Sequence, residues 1–202
     1  EYTSVVPEVE AVSAYGREVG TRMHVHVSET KSEHEACKAK RGMTPVQYFA
    51  KYGAFDIPTV AAHCVWVDED DMDILKQKNV TPVHNPVSNL KLASGIAPIE
   101  RMREKGINVA LGTDGAASNN TMDMFEELKL TAILQKGATH VATAMPAAEA
   151  LKISAQNGAR ALGFNDVGEI KAGNRADIVL IGNANPAHTA SRDVPGTLVY
   201  AN

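Results

Sequence analysis

Residues 59–84 read TVAAHCVWVDEDDMDILKQKNVTPVH, in which two short apolar runs flank a stretch rich in charged residues. The runs 59–65 and 80–84 are predicted strands, and residues 68–78 between them form a predicted helix. A strand, a helix and a second strand in succession are the unit from which parallel sheets are built. This stretch therefore predicts an α/β fold with a parallel sheet.

The same alternation extends from this stretch in both directions along the chain. It amounts to four units, each with one short apolar strand followed by helix, as in a parallel sheet covered by helices. The other predicted segments are a helix at 7–20, a strand at 21–27, helices at 32–40 and 44–52, a long loop at 84–95, a helix at 98–106, a strand at 107–114, helices at 122–136 and 147–161, and a short β segment at 176–181.

Metal-binding and ionisable side chains fall at the C-terminal ends of the predicted strands. In α/β barrels this end of the sheet is the active face. Two imidazoles and a carboxylate delivered there provide nitrogen and oxygen ligands suited to zinc or a similar first-row metal. The side chains at these strand ends are His26 with Glu29, His63, His84 with Asn85, and Asp114.

The first predicted strand allows two interpretations. His24 and His26 share one face of the strand, so the pair could by itself begin a metal site. Positions 26 and 29 of a continuous strand would lie on opposite faces, so Glu29 is predicted to lie in the following loop, where its carboxylate can reach a metal. The alternative role for Glu29 is that of a neighbour of the N-cap of the helix at Ser32.

Composition restricts the classes of partner. The 202 residues are 44% hydrophobic and 22% charged, as in a globular protein with one sizeable core. The net charge of -4 and the lack of a Lys/Arg run argue against nucleic acid or an anionic membrane as partner. Cys37 and Cys64 have no cysteine-zinc spacing, and no run of roughly 18 apolar residues is present. We expect a cytoplasmic protein that binds a small molecule.

Four strings occur in a fixed order: MHVHVSET (23–30), AAHCV (61–65), VHNPVSNLKLASG (83–95) and LGTDGAASNN (111–120). Together they resemble the amidohydrolase superfamily, in particular its 5'-methylthioadenosine and S-adenosylhomocysteine deaminases. The similarity runs from about Arg22 to Ile181. It implies that residues 1–165 form strands five to eight of a (β/α)8 barrel, and that residues 166–202 return towards a small β-sandwich.

The resemblance also implies a role for each candidate residue. His26 is the fifth-strand metal ligand, and Glu29 is the proton shuttle. Asp114 ends the eighth strand as a metal ligand and proton acceptor. His63 ends the sixth strand, where it orients the attacking water or serves as a further ligand. The metal is one divalent ion, zinc with iron as the alternative, and His24 lies near the site without ligating.

The family's first-strand His-x-His is expected upstream of Glu1. The chain begins inside a helical pattern without a methionine, so we expect a fragment that lacks two of the family's metal ligands. Among later residues, Asn85, Ser88 and Asn89 carry amide and hydroxyl groups suited to reading the nitrogens of a substrate ring. Their alternative role is an Asx-turn network with Pro86.

The function implied is metal-dependent hydrolytic deamination of an aminopurine nucleoside. Sister amidohydrolases, such as guanine or cytosine deaminases or s-triazine hydrolases, share the same metal core and remain an alternative. A different alternative is an inactive half-barrel that associates through its exposed sheet edges. In either case we expect a homo-oligomer or association through these edges.

Overall fold

The computed structural model describes residues 3–182 and 192–201. Its centre is a parallel sheet of four strands whose spatial order is the order in the chain. Neighbouring parallel strands in chain order are what half of a (β/α)8 barrel requires, so the predicted fold class is confirmed. The strands are β1 (Met23–Val27), β2 (Thr59–His63), β3 (Thr81–His84) and β4 (Ala110–Leu111).

Helices follow each strand and cover one face of the sheet. α1 ends at Gly20, which has φ 67°, and the Thr30 hydroxyl caps α2 by accepting the N–H of Glu33. The helices are α1 (Val6–Val19), α2 (Lys31–Arg41), α3 (Pro45–Lys51), α4 (Glu69–Gln77), α5 (Pro86–Lys91), α6 (Ile99–Glu104), α7 (Ala116–Asn119), α8 (Met124–Thr139), α9 (Ala147–Ser154), α10 (Gln156–Leu162) and α11 (Val194–Tyr200), with a 3-10 turn at Ala54–Asp56.

The two faces of the sheet differ in burial as the alternating pattern of β1 predicts. His24 and His26 are exposed on one face, whereas Val27 is fully buried on the other. The buried face packs against the helices in the main core, together with Ala61 of the neighbouring strand. The largest buried side chains of this core are Tyr48, Phe55, Leu75, Ile99, Met102, Met145 and Ile153.

Helix α10 lies against the N-terminal ends of the strands. Ala161 packs with Val60 and Ala110 in a second, smaller apolar cluster. Arg22, just before β1, donates a hydrogen bond to the carbonyl of Ala161 at 3.2 Å. The amide of Asn157 donates to the carbonyl of Val109 at 2.9 Å. α10 therefore covers the end of the sheet opposite to the strand ends that carry the candidate site.

Three predicted segments differ in part from the structure. The predicted loop 84–95 contains α5, because Pro86 fits the first turn of a helix. The predicted helix 147–161 is two helices, since Ala155 leaves helical geometry (φ -104°, ψ -74°) and α10 turns under the sheet. Paired strand in the segment 107–114 is limited to Ala110–Leu111, where β3 offers partners.

The predicted β segment 176–181 is wrong: the structure shows no strand there. A strand is stable only when a neighbour accepts its backbone hydrogen bonds, and the described part of the chain supplies none to this segment. Its apolar side chains are accordingly exposed, with Leu180 at 92%. α11, by contrast, packs against α8 and α9 and buries Val199 in the main core. The division at residue 165 stays a prediction.

Cys37 and Cys64 are both buried within the main core. Burial, reinforced by the nearby carboxylates of Asp71 and Glu33, raises the pKa of the Cys64 thiol far above its ordinary value. These are structural cysteines. None of the helices in the described ranges has the length and apolar content needed to span a bilayer.

Candidate active site

Unusual backbone turns at the strand ends aim the candidate side chains. Strict alternation along β2 would place His63 on the buried face beside Ala61. His63 instead has φ 73°, and its ring lies 5.1 Å from that of His26, which projects from the opposite face of β1. Asp114 has φ 61°. Non-glycine residues seldom adopt this left-handed region, and such geometry often marks a functional site.

These turns bring together the three residues predicted to bind a metal. Ligand atoms of His26, His63 and Asp114 all lie within 4.8 Å of one another. Ligands that share one zinc-type ion each lie about 2 Å from it and so at most about 4 Å from one another, a little less than the 4.8 Å bound on these atoms. Two imidazole nitrogens and one carboxylate oxygen also match the ligand set of many catalytic zinc sites. The donors present therefore fit a divalent ion of this kind.

Glu29 lies beside this group, in the loop where the sequence predicted it. Its carboxylate Oε2 is 3.7 Å from Nε2 of His63. The backbone N–H of Glu29 donates to the Glu33 carboxylate at 2.8 Å, and the cap of α2 is Thr30. Glu29 is therefore the neighbour of the N-cap, as its alternative role stated, and its side chain is at the same time directed at the site.

Hydrogen bonding assigns the proton on His63. Its Nδ1 lies 2.8 Å from Oδ1 of Asn89, an atom that only accepts, so Nδ1 carries the proton. The amide nitrogen of Asn85 faces two carbonyls, those of His84 and Gly112, each at 3.1 Å, which leaves its oxygen towards the same Nδ1. The lone pair of His63 is thus on Nε2, the nitrogen that faces Glu29 and the metal-binding group.

Asp114 is held as a carboxylate. Its Oδ2 accepts a hydrogen bond from the Ser88 hydroxyl at 2.6 Å. Partial burial alone would raise the pKa of Asp114. Hydrogen bonds from Ser88, the Gly115 backbone and Ser118, with His63 adding to them when its ring is protonated, outweigh burial and leave the pKa below its ordinary value. The ionised form is the one that can ligate a metal.

The three predicted substrate-binding residues contact the site residues themselves. Asn85, Ser88 and Asn89 are at most 2% exposed, and their polar groups face His63 or Asp114. Asn85 is the N-cap residue of α5 but makes no side-chain cap bond, so the Asx-turn alternative does not describe it. Contact of these residues with a substrate stays a prediction.

Two histidines near the group have other surroundings. His24 lines a cavity of about 320 Å³ together with His26, Asn85 and Asp114, and it is outside the set of three donors. His84 is fully buried at the end of β3. Burial, and to a lesser degree His63 when its ring is protonated, lowers the pKa of His84 to about 3, so that the His84 ring is neutral.

Two further residues belong to the surroundings of the site and were not predicted from the sequence: Ser94, which contacts Glu29, and Trp66, which contacts Ser94. The Ser94 hydroxyl donates to Oε1 of Glu29 at 3.3 Å. The indole N–H of Trp66 donates to the Ser94 carbonyl at 2.7 Å. The only signal in the sequence is that Ser94 belongs to the string HNPVSNLKLASG, which carries no periodicity.

Known proteins match this chain over nearly its whole length. The model of the amidohydrolase family matches residues 2–199. The chain belongs to the amidohydrolase family. A 5-methylthioadenosine/S-adenosylhomocysteine deaminase of Caldanaerobacter subterraneus subsp. tengcongensis is 46% identical over 201 residues, which are 99% of this chain and 46% of that relative. A 5'-deoxyadenosine deaminase of Methanosarcina acetivorans is 47% identical over 182 residues, 90% of this chain and 42% of the relative.

Solved structures give the same picture. The zinc-bound adenosine deaminase of Xanthomonas campestris superposes with a TM-score of 0.94 at 35% identity, over 98% of this chain and 46% of that one. The guanine deaminase of C. acetobutylicum, with guanine bound, superposes with a TM-score of 0.77 at 25% identity, over 84% of this chain and 42% of its own. The chain spans about half the length of the relatives it matches.

Proposed function

We propose that the protein is a metal-dependent hydrolytic deaminase of an adenosine-type nucleoside, with S-adenosylhomocysteine or 5'-methylthioadenosine as substrate. The observation that carries the proposal is the convergence of His26, His63, Asp114 and Glu29 at the carboxyl end of a parallel sheet. The names of the relatives support the choice of substrate class. The reaction replaces the ring amine with oxygen: water is consumed and ammonia leaves.

The metal-binding residues would be His26, Asp114 and His63. A divalent ion held there, zinc in the proposal and iron in the alternative, supplies Lewis acidity that makes a water molecule an effective nucleophile near neutral pH. The neutral, Nδ1-protonated form of His63 presents the Nε2 lone pair required of a ligand or of an acceptor for that water.

Two carboxylates can divide the proton transfers. Asp114 is ionised and lies next to the imidazoles, so it can accept the proton that the attacking water gives up. Glu29 can donate a proton to the ring nitrogen adjacent to the reacting carbon, which removes aromatic stabilisation as the C–O bond forms. The proton taken up by Asp114 can then pass to the amine while the added hydroxyl returns a proton to Glu29, so that the C–N bond breaks, the ring carbonyl forms and ammonia leaves.

We also propose the domain organisation, the cellular location and the partner that the sequence predicts. The two-part organisation, 1–165 and 166–202, is supported by the end of α10 at Leu162 and by the lack of helix or strand in the described residues 163–182. A cytoplasmic location is supported by Cys64, a buried cysteine that forms no disulfide bond. The small-molecule partner follows from the proposed reaction.

The test is a substrate panel on the natural full-length protein loaded with zinc. We expect S-adenosylhomocysteine and 5'-methylthioadenosine to be converted to their inosine analogues, measured by ultraviolet absorbance and by ammonia release in parallel. Activity on guanine, cytosine or an s-triazine but on neither nucleoside would contradict the substrate and leave a sister amidohydrolase. A zinc-loaded protein inactive on the whole panel would contradict the enzyme proposal.

A further inference from the structure

One short segment, residues 88–94, contacts three different members of the candidate site. The Ser88 hydroxyl donates to Asp114 at 2.6 Å, and the Ser94 hydroxyl donates to Glu29 at 3.3 Å. Between them, Asn89 accepts the Nδ1 proton of His63 at 2.8 Å. We call residues 88–94 the positioning segment.

The three polar side chains of the positioning segment are buried: Ser88 and Asn89 are 0% exposed and Ser94 is 2% exposed. Removing a hydroxyl or an amide from water is unfavourable unless it finds a hydrogen-bond partner. The two hydroxyls and the amide oxygen of Asn89 find that partner on a residue of the site, whereas the amide nitrogen of Asn89 has no partner among the described residues. These side chains therefore lie buried behind Asp114, His63 and Glu29, and they can affect a reaction only through those residues.

The positioning segment is itself anchored at both ends. Near its start, the backbone N–H of Val87 donates to the buried carboxylate of Glu127 at 3.1 Å. Near its end, the Ser94 N–H donates to the Asn89 carbonyl at 2.7 Å, and the Ser94 carbonyl accepts the indole N–H of Trp66 at 2.7 Å. A segment fixed in this way can hold its three partners at constant separations.

We propose that Ser88, Asn89 and Ser94 are positioning residues that set the geometry of Asp114, His63 and Glu29 from a single rigid segment. Asn89 selects the tautomer of His63 in which Nε2 is free to ligate. Ser88 occupies one carboxylate oxygen of Asp114 and so fixes the direction of the other. Ser94 holds Glu29 over the metal-binding group. The assignment to deamination rests on the proposed function, whereas the effect on the metal ligands does not.

The experiment uses the natural full-length protein, loaded with zinc for kinetics and with cobalt(II) for absorption spectra. The variants are Ser88→Ala, Asn89→Leu, Asn89→Asp and Ser94→Ala. Ser13→Ala is the matched control, because Ser13 is also fully buried and its hydroxyl also makes a 2.6 Å hydrogen bond, to Val9 of its own helix. Thermal unfolding of every variant monitors folding.

We expect Ser88→Ala and Asn89→Leu to lower kcat about 10- to 100-fold with KM nearly unchanged, and to alter the cobalt spectrum. Asn89→Asp keeps an acceptor for Nδ1 and should restore kcat to within a few-fold of the unaltered protein. Ser94→Ala should lower kcat without changing the cobalt spectrum, since Glu29 is outside the donor set. Ser13→Ala should change neither quantity more than about twofold.

The proposal is overturned if Ser88→Ala and Asn89→Leu keep both kcat and the cobalt spectrum. It is also overturned if Asn89→Asp is as damaged as Asn89→Leu, or if Ser13→Ala loses as much activity as Ser88→Ala, because the effects would then be those of general stability. A protein that deaminates no nucleoside contradicts the proposed function instead, and the cobalt spectra still decide the positioning of His63 and Asp114.

Discussion

Glu29 is the residue whose proposed role can be separated most cleanly from metal binding. The substitution Glu29→Gln keeps the shape of the side chain and removes the exchangeable proton, so we expect full metal content with turnover lowered at least 100-fold. The measurements are elemental analysis and initial rates on the zinc-loaded full-length protein. Glu35→Gln, an exposed site on α2, serves as the control and should keep its activity. Turnover near the unaltered rate in Glu29→Gln would remove Glu29 from proton transfer.

Asp114 combines two proposed roles, and its substitution should affect both. Asn tolerates left-handed backbone, so Asp114→Asn tests the carboxylate without adding strain at φ 61°. We expect weaker metal retention during dialysis against a mild chelator and a loss of turnover of several orders of magnitude. Asp70→Asn, exposed on α4, is the control. Unchanged metal content together with unchanged turnover would exclude Asp114 from the site.

At the scale of residues, the sequence located charged and metal-binding side chains better than their neutral supports. His26, His63 and Asp114 could be found because parallel strands align their carboxyl ends, and the structure brings their ligand atoms within 4.8 Å. The link from Ser94 to Glu29 could not be found in the same way. Its partner is 65 residues away in the chain, and a serine in a loop has no spacing that indicates a partner.

Helix α8 carries a buried carboxyl group that connects three elements near the site. Glu127 is 0% exposed; it accepts the N–H of Val87 at the start of α5 and the side-chain amide of Asn119 at the end of α7. Burial raises the pKa of Glu127 from 4.5 to about 7, although these two hydrogen bonds oppose the shift. Ionisation of this group therefore weakens the folded state.

The stability of the protein should accordingly fall as pH rises through this range. Between pH 4.5 and 7 the folded state retains the Glu127 proton that the unfolded chain releases, so the free energy of unfolding falls as pH rises. The contribution of Glu127 to this free energy is fully lost above about pH 7. We expect the free energy of unfolding, measured by urea denaturation, to fall from pH 5 to pH 8 by up to roughly 3 kcal/mol more in the unaltered protein than in Glu127→Gln. Equal pH dependence in the two proteins would contradict this assignment.

At the scale of elements, the sequence predicted the existence and order of units better than their limits. Helical patterns next to strands were found because each follows a local periodicity. Helix α5 was missed because its six residues are too few to show a helical period. The break at Ala155 and the unpaired segment 176–181 depend on where α10 packs and on which strand partners are present, and neither is recorded in local sequence.

At the scale of the whole molecule, the sheet of the described chain has two open edges. In the described chain β1 and β4 are the edges of the sheet, and their outer backbone groups have no strand neighbour. The outer side of α1 adds apolar residues that are at least half exposed, with Tyr15 at 63%. Unpaired edges and apolar patches both favour association with another chain.

We expect the 202-residue chain to self-associate, as the sequence predicted. Sedimentation velocity over a range of concentrations should show a dimer or larger species whose fraction rises with concentration. Val12 and Val19 are 55% and 50% exposed on α1. The double substitution Val12→Lys and Val19→Lys should lower the associated fraction if α1 lies in the contact between the chains. A monomer at the highest concentration would mean that the edges are covered within one chain.

The burial of both cysteines gives the protein a reporter of its own unfolding. Cys37 and Cys64 are 4% and 0% exposed, and the raised pKa of Cys64 leaves almost none of it as thiolate. The thiolate is the form that attacks an alkylating reagent, so modification requires a transient opening of the core around each residue. The two cysteines lie at different places, one on α2 and one directly after β2. In a pulse of alkylating reagent, the cysteine whose peptide gains mass first marks the region that opens first. Cys37 reports the helix layer and Cys64 reports the sheet, and no label has to be introduced.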